Sequence, residues 1–174
     1  MLMLPQLTVE LGVWQAMSDT PRYVGLLNAL AISETIAHDF LEAWIAVTPD
    51  DGVRATLELI SIREGEHGMA LAKRVIDLGY PLEKRDDPGS VKRLEIAGSD
   101  LSDLEKMEAL NLQRYFSDDT PDFFDTVFAD HSIDPQTGAL LGRHIAEERD
   151  TGRRLKALYE QLRAQAGHLA TTDA

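Results

Sequence analysis

The sequence contains no cysteine. Disulfide bonds, thiolate zinc sites, iron–sulfur clusters and cysteine nucleophiles are therefore all excluded. Positive charge is also scarce, since 17 lysines and arginines stand against 30 aspartates and glutamates, which leaves a formal net charge of −13. Because a phosphate backbone binds clustered positive charge, we expect no nucleic-acid partner, whereas the binding of cations stays open.

Long apolar runs are missing as well. No segment reaches the about 18 consecutive apolar residues that a transmembrane helix needs. The first five residues carry no basic side chain, so they lack the pattern of a secretory signal peptide. We therefore expect no membrane partner and a cytoplasmic location. The 174 residues, 44% hydrophobic and 27% charged, are typical of one globular domain with a sizeable core.

Four of the seven prolines follow a residue that commonly caps a helix: Thr20-Pro21, Thr48-Pro49, Thr120-Pro121 and Asp134-Pro135. Proline is favoured at the first helical position because the N–H group it lacks would have no partner there. The preceding threonine or aspartate can accept from the next free N–H groups. Together with the apolar periodicity, these pairs predict an all-α fold. Its helices are expected at about residues 21–47, 49–78, 101–116 and 135–165, with a short one from Pro121.

The connections indicate how these helices are arranged. Little more than Thr48 separates the first two helices, which forces an antiparallel hairpin. The next link, residues 79–100, is long enough to cross the molecule and start helix 3 at the opposite end. We therefore expect a four-helix bundle over residues 21–165, with helices running up, down, down and up. Residues 1–20 are expected to form an N-terminal extension, and residues 166–174 a flexible C-terminal tail.

Each of the four long helices carries one glutamate in the middle of its apolar face, counted at about 100° per residue. These glutamates are Glu34, Glu64, Glu108 and Glu148. Four unpaired carboxylates in one core would be strongly destabilised by desolvation and mutual repulsion. The chain offers few inward-facing lysines or arginines, so metal ions are the simplest compensation. Carboxylate and imidazole ligands without thiolate suit iron, manganese or zinc.

Helix 2 adds a second signal, because Glu64-Gly65-Glu66-His67 matches the pattern Glu-x-x-His. Residues at positions i and i+3 are neighbours on one helical face, so Glu64 and His67 can bind the same ion. Gly65 and Gly68 also lie inside this helix, where each costs about 1 kcal/mol relative to alanine. Close helix approach or space around a site would explain these glycines, and tolerance at the surface is the alternative.

With these motifs the chain resembles the ferritin-like superfamily, most closely its rubrerythrin-like branch, over about residues 21–165. The motifs are ISETIAH at residues 32–38, REGEHGMAL at residues 63–71 and IAEERDTGRRL at residues 145–155. The resemblance implies a centre of two iron ions, with manganese or zinc as alternatives. Its implied ligands are Glu34, Glu64, His67, Glu108 (or Glu105) and Glu148. It also implies a second Glu-x-x-His on helix 4, where this chain has Thr151 in place of the histidine.

Two further histidines lie at the depth of the expected centre. If helices 1 and 4 are parallel, His38 reaches the level of the missing imidazole and His144 comes near the level of His67. For His144 we favour a role as hydrogen-bond partner of a glutamate. For His38 two interpretations stay open, a metal ligand that replaces the missing histidine or a hydrogen-bond partner.

The resemblance implies an enzyme, a non-haem oxidoreductase that acts on dioxygen or peroxide or oxidises ferrous iron. Rubrerythrins often carry a rubredoxin-like module with four cysteines, and this chain has none, so electrons would come from a separate donor. A homo-oligomer, a dimer, is the expected assembly. The alternatives are non-catalytic iron storage and a bundle that has lost its metals and serves as an interaction protein.

Overall fold

The computed structural model describes residues 20–83, 87–113 and 129–172. All regular structure in this part of the chain is helical, which confirms the predicted all-α class. The helices are α1 (Arg22–Ile45), α2 (Asp51–Asp77), α3 (Ser90–Ala97), α4 (Asp103–Ala109) and α5 (Pro135–Thr172). The N-terminal extension up to residue 19 and the short helix predicted from Pro121 lie outside the described residues. No described helix combines the length and the apolar character that a membrane-spanning segment requires.

Of the predicted capping residues, Asp134 caps its helix, whereas α1 begins after Pro21 without a side-chain cap and α2 is capped by Asp50 in place of Thr48. The side chain of Asp50 accepts hydrogen bonds from the N–H groups of Gly52 and Val53 at the start of α2. Asp134 accepts from the N–H groups of Gln136 and Thr137 at the start of α5. At its other end, α5 continues to Thr172, so the segment after residue 165 is helical where the sequence predicted a flexible tail.

Side-chain pairs give the directions of the three long helices. His38 on α1 contacts Ser61 on α2, and Arg54 near the start of α2 donates to the Ile45 carbonyl at the end of α1, so α1 and α2 are antiparallel. Arg74 binds Asp134 just before α5, whereas Arg63 binds Asp150 well inside α5, so α2 and α5 are also antiparallel. Helices α1 and α5 are therefore parallel.

The link after α2 leads to the end of the molecule where α1 stops and α2 begins. Gly79, with a φ of 86°, follows the end of α2. The link contains α3, which packs against α1. It ends at Asp103, whose carboxylate accepts from Trp44 Nε1 at 2.6 Å and from the Thr48 hydroxyl at 2.8 Å. Trp44 and Thr48 mark the end where α1 stops and α2 begins.

Helix α4 is shorter than predicted. The sequence indicated a helix over about residues 101–116, but α4 has seven residues and gives way to Asn111, which has a left-handed φ of 54°. Because Asp103 is held by Trp44 and Thr48, the buried side of α4 carries Asp103, Lys106 and Met107. Residues 114–128 lie outside the described part, so the four-helix bundle stays a prediction.

The buried apolar residues form two clusters, one toward each end of the long helices. One cluster contains Trp44, Val53, Leu57, Met107 and Leu158, among others. The other contains Leu27, Ala31, Leu71, Val75 and Leu141. Between them the three long helices contribute a layer of buried polar side chains, and this layer is the candidate functional site.

Candidate metal centre

Five acidic and histidine side chains of the polar layer come from the three long helices, and we call them the Glu/His cluster. Its members are Glu34 from α1, Glu64 and His67 from α2, and His144 and Glu148 from α5. The first four are buried and Glu148 is half-buried. The apolar clusters above and below keep water away from the layer, while the Glu148 side gives it an edge toward the surface.

The contacts within the Glu/His cluster are short. His144 Nε2 lies 3.0 Å from Glu34 Oε1. His67 Nδ1 lies 3.5 Å from Glu148 Oε1 and 3.8 Å from Glu34 Oε2. The two imidazole rings meet edge to face with their centroids 4.6 Å apart. Donor atoms of four residues, Glu34, His67, His144 and Glu148, all lie within 4.8 Å of one another.

Several buried polar atoms of this layer have no hydrogen-bond partner. They are Glu34 Oε2, His67 Nδ1, Glu148 Oε1 and Thr151 Oγ1. Buried polar atoms are nearly always paired, and leaving one unpaired costs about 1–3 kcal/mol. Three of these atoms belong to the Glu/His cluster and converge on one point. Such convergence is the arrangement that a bound cation would satisfy.

The spacing of the donor atoms fits a transition-metal ion. Nitrogen and oxygen ligands lie about 2.0–2.2 Å from zinc, so two ligands on one ion are at most about 4.4 Å apart. The observed upper limit of 4.8 Å requires only a small contraction of the four side chains. Two imidazoles with carboxylates suit iron, manganese or zinc better than calcium or magnesium, which prefer oxygen ligands alone.

In the metal-free state the carboxyl groups of Glu64 and Glu34 differ in protonation. Burial raises the pKa of Glu64, and a hydrogen bond to Glu34 and the negative charge of Glu148 raise it further, to about 11. Burial alone would also raise the pKa of Glu34, but the interactions of its carboxylate with His144, His67 and Glu64 outweigh burial and hold that pKa below its usual range. At neutral pH the pair therefore consists of a protonated Glu64 that donates to an ionised Glu34.

Neighbouring carboxylates keep His67 protonated, and therefore positively charged, in the metal-free state. Burial alone would lower the pKa of His67, but the surrounding carboxylates of Glu148, Glu34 and Glu147 raise it to about 10. An imidazolium at the centre of the layer provides the positive charge that the carboxylates need. A divalent ion would take over that role and release the proton, since a metal ligand must be a neutral imidazole.

Glu147 holds the far side of the His67 ring. Its Oε2 lies 2.6 Å from His67 Nε2, and its Oε1 accepts from Arg143 at 3.0 Å. A carboxylate on the second ring nitrogen fixes the orientation of a ligating histidine and raises its basicity. In the sequence, Glu147 shares its helix face with Arg143 and Arg154, which is typical of a solvated face. Only the approach of α2 could reveal its contact with His67.

Gly68 lets α1 and α2 approach closely beside the Glu/His cluster. A Cβ atom at Gly68 would lie 2.9 Å from the hydroxyl of Thr35 and 3.3 Å from the carbonyl oxygen of Ala31. This contact supports the interpretation of Gly68 as a close-approach residue. Gly65 instead faces His38, whose Nδ1 would lie 3.4 Å from an added Cβ.

The structure does not bring His38 to the cluster. Its Nδ1 lies 3.0 Å from the carbonyl oxygen of Ser61 and 2.9 Å from the Ser61 hydroxyl, which donates to Glu42. His38 therefore joins α1 to α2 and is neither a ligand in place of the missing histidine nor a partner of a cluster glutamate. His144, in contrast, takes the expected hydrogen bond to Glu34 and also lies within reach of a shared ion.

The predicted carboxylate from helix 3 is also absent from the cluster. Glu108 is exposed, and its Oε1 accepts from the Tyr159 hydroxyl at 3.1 Å. The alternative, Glu105, closes the capping box with Ser102 at the start of α4. The expectation that Glu108 faces inward is therefore wrong. Met107 is the residue that α4 buries, so the next residue, Glu108, points outward. Thr151 lies buried in the layer, as its position after Glu148 predicts.

Comparison of this chain with protein-family models, curated proteins and solved structures finds no match.

Proposed function

We propose that this chain is a metal-binding helical protein whose Glu/His cluster holds a transition-metal ion. Iron is the proposed ion, with manganese or zinc as alternatives. The observation that carries the proposal is the convergence of Glu34 Oε2, His67 Nδ1 and Glu148 Oε1, all buried and without a hydrogen-bond partner. His144 supplies the fourth donor. Glu64 is the further carboxylate that a second ion would use.

The proposed activity is that of a non-haem oxidoreductase acting on dioxygen, peroxide or ferrous iron. A bound iron or manganese ion supplies one-electron chemistry and a coordination position for the oxidant. The chain itself orients the ligands: Glu147 holds the His67 ring and Glu34 holds the His144 ring. Burial of the cluster between two apolar layers favours small oxidants over organic substrates, and electrons would come from a separate donor.

The proposed fold is the ferritin-like bundle that the sequence resembles. The parallel pair α1 and α5, both antiparallel to α2, and the crossing link support the up-down-down-up order.

Metal content tests the proposal. The full chain is stripped with a chelator, reloaded with ferrous iron or manganese without oxygen, and analysed for metal per chain. We expect at least one ion, and strong loss in His67→Ala and in His144→Ala. His38→Ala is the matched control, because His38 is a helical histidine outside the cluster, and it should keep its metal. Circular dichroism shows whether each variant remains folded.

Content well below one ion per chain in the unaltered protein would contradict the proposal, as would equal loss in all three variants. The oxidoreductase step is tested by adding dioxygen or hydrogen peroxide to the iron-loaded protein. Consumption of the oxidant should fall in His67→Ala and stay unchanged in His38→Ala.

A further inference from the structure

Helix α2 carries an apolar stripe on the side that faces away from the Glu/His cluster. The stripe consists of Ile62, Met69 and Ile76, which are 60%, 70% and 58% exposed. Each of these residues lies seven positions after the previous one, so all three lie along one line of the helix. At about 1.5 Å per residue the stripe is about 21 Å long. Large apolar side chains aligned in this way on a surface mark an interaction site.

We propose that a second copy of this chain covers the stripe, with the two α2 helices antiparallel across a two-fold axis through Met69. The spacing suits this arrangement, because Ile62 and Ile76 are equally far from Met69 along the sequence. Each Ile62 then lies at the level of the partner's Ile76, and the two Met69 side chains meet on the axis. An interface of this kind uses the same surface of both copies, as two-fold dimers require.

The charges beside the stripe favour a second copy over a different partner. Glu66 and Lys73 lie on the same edge of the stripe and on opposite sides of Met69. The two-fold axis therefore brings Glu66 close to Lys73 of the partner subunit, and Lys73 close to the partner's Glu66. Both side chains remain more than half exposed although Glu66 contacts Arg143 and Lys73 contacts Asp77. A parallel pairing would instead place like charges at the same level.

The proposed interface is independent of metal binding. Glu64 and His67 point inward from α2, whereas the stripe lies on the outer face of the same helix. Loss of metal from the Glu/His cluster therefore leaves the stripe in place. The dimer would hold two copies of the cluster back to back, each separated from the interface by the thickness of α2.

A single introduced cysteine tests the position of the axis. The chain has no cysteine of its own, so Met69→Cys carries the only thiol. On the two-fold axis this thiol meets its own copy, and mild oxidation should convert most of the protein into a cross-linked dimer. Val91→Cys is the matched control, because Val91 is 62% exposed, lies on α3 and is outside the stripe. The Val91→Cys protein should therefore remain largely monomeric in a denaturing gel.

The mass in solution provides the second measurement. Light scattering should give about twice the monomer mass of 19.3 kDa for the unaltered chain. Met69→Lys, which places two like charges on the axis, should give the monomer mass while circular dichroism stays unchanged. A monomeric unaltered chain would overturn the proposal and assign the stripe to another occupant. Equal cross-linking of Met69→Cys and Val91→Cys would overturn the proposed axis.

A charge exchange tests the antiparallel register. Glu66→Lys and Lys73→Glu should each weaken the dimer, and the double variant should restore it. If the double variant is as weak as the single ones, Glu66 and Lys73 do not face each other across the axis, and the proposed register is wrong.

Discussion

His67 Nε2 on α2 lies 2.6 Å from Glu147 Oε2 on α5, while His67 Nδ1 faces Glu34 and Glu148. One imidazole therefore has a carboxylate on each side. The outer carboxylate fixes the ring, and the inner nitrogen is directed at the point where the donor atoms of the Glu/His cluster converge. This relationship makes Glu147 a positioning residue of the proposed metal centre.

Replacement of Glu147 should weaken metal binding without removing a ligand. Loss of such a supporting carboxylate typically costs about 10- to 100-fold in metal affinity. We expect a decrease of that size in Glu147→Gln, measured by competition with a chelator of known affinity. Asp150→Asn is the control, since Asp150 lies on the same side of α5 but binds Arg63 and Arg154. An affinity loss in the control that equals that of Glu147→Gln would mean that general charge, not contact with His67, sets the affinity.

Metal binding near neutral pH should release protons. The pKa of His67 is raised to about 10 and that of Glu64 to about 11, so both groups are protonated at pH 7 in the metal-free protein. A metal ion displaces the proton of each group that binds it, so the apparent affinity should increase about tenfold per pH unit for every proton released. Calorimetry in buffers of different ionisation enthalpy counts these protons. Zero released protons would contradict the prediction, because neither group would then exchange a proton for the metal.

The metal-free protein should become less stable as the pH rises from 7 toward 10. A group whose pKa is raised by folding binds its proton more tightly in the folded state, so its stabilising effect is lost as pH increases through the folded-state pKa. His67 and Glu64 act in the same direction. Thermal unfolding at several pH values measures the effect. Glu64→Gln, which imitates the protonated side chain, should make the pH dependence weaker; an unchanged dependence would exclude Glu64 as its source.

The two glycines Gly68 and Gly25 should respond in opposite ways to replacement by alanine. At Gly68 a Cβ meets Thr35 and Ala31, so overpacking should reduce the free energy of unfolding by about 1–3 kcal/mol and also weaken metal binding beside it. At Gly25, an exposed position of α1, the added Cβ meets nothing within 4 Å. There alanine should stabilise the helix by about 0.5–1 kcal/mol. Urea unfolding compares the two, and a stabilised Gly68→Ala would disprove the close approach.

The inward direction of Glu34, Glu64 and Glu148 could be predicted from the sequence. In a long helix the period of 3.6 residues relates each glutamate to many apolar neighbours, so the buried face is well defined. The same period predicted an inward Glu108, but this residue is exposed. Helix α4 has only seven residues, and its rotation follows from the bonds of Asp103 to Trp44 and Thr48, which are far away in the sequence.

For His38 and His144 as well, the sequence predicted the depth along the helices but not the contacts. The sequence placed His38 and His144 at the depth of the cluster, because rise per residue fixes depth along parallel helices. Whether a side chain at that depth enters the cluster depends on the neighbouring helix that it meets. His38 meets Ser61 of α2, whereas His144 meets Glu34 of α1.

The amino-acid sequence alone specifies the all-helical class, the start of α5, and the carboxylates and Glu-x-x-His pair that face inward from the long helices. These features depend on interactions within one or two helical turns. The packing of the helices sets the remaining features: His144 joins the cluster, His38 and Glu108 stay outside it, and Glu147 supports His67. Those outcomes depend on distances of a few ångströms between different helices, which are set by how the helices pack and not by the pattern along any one of them.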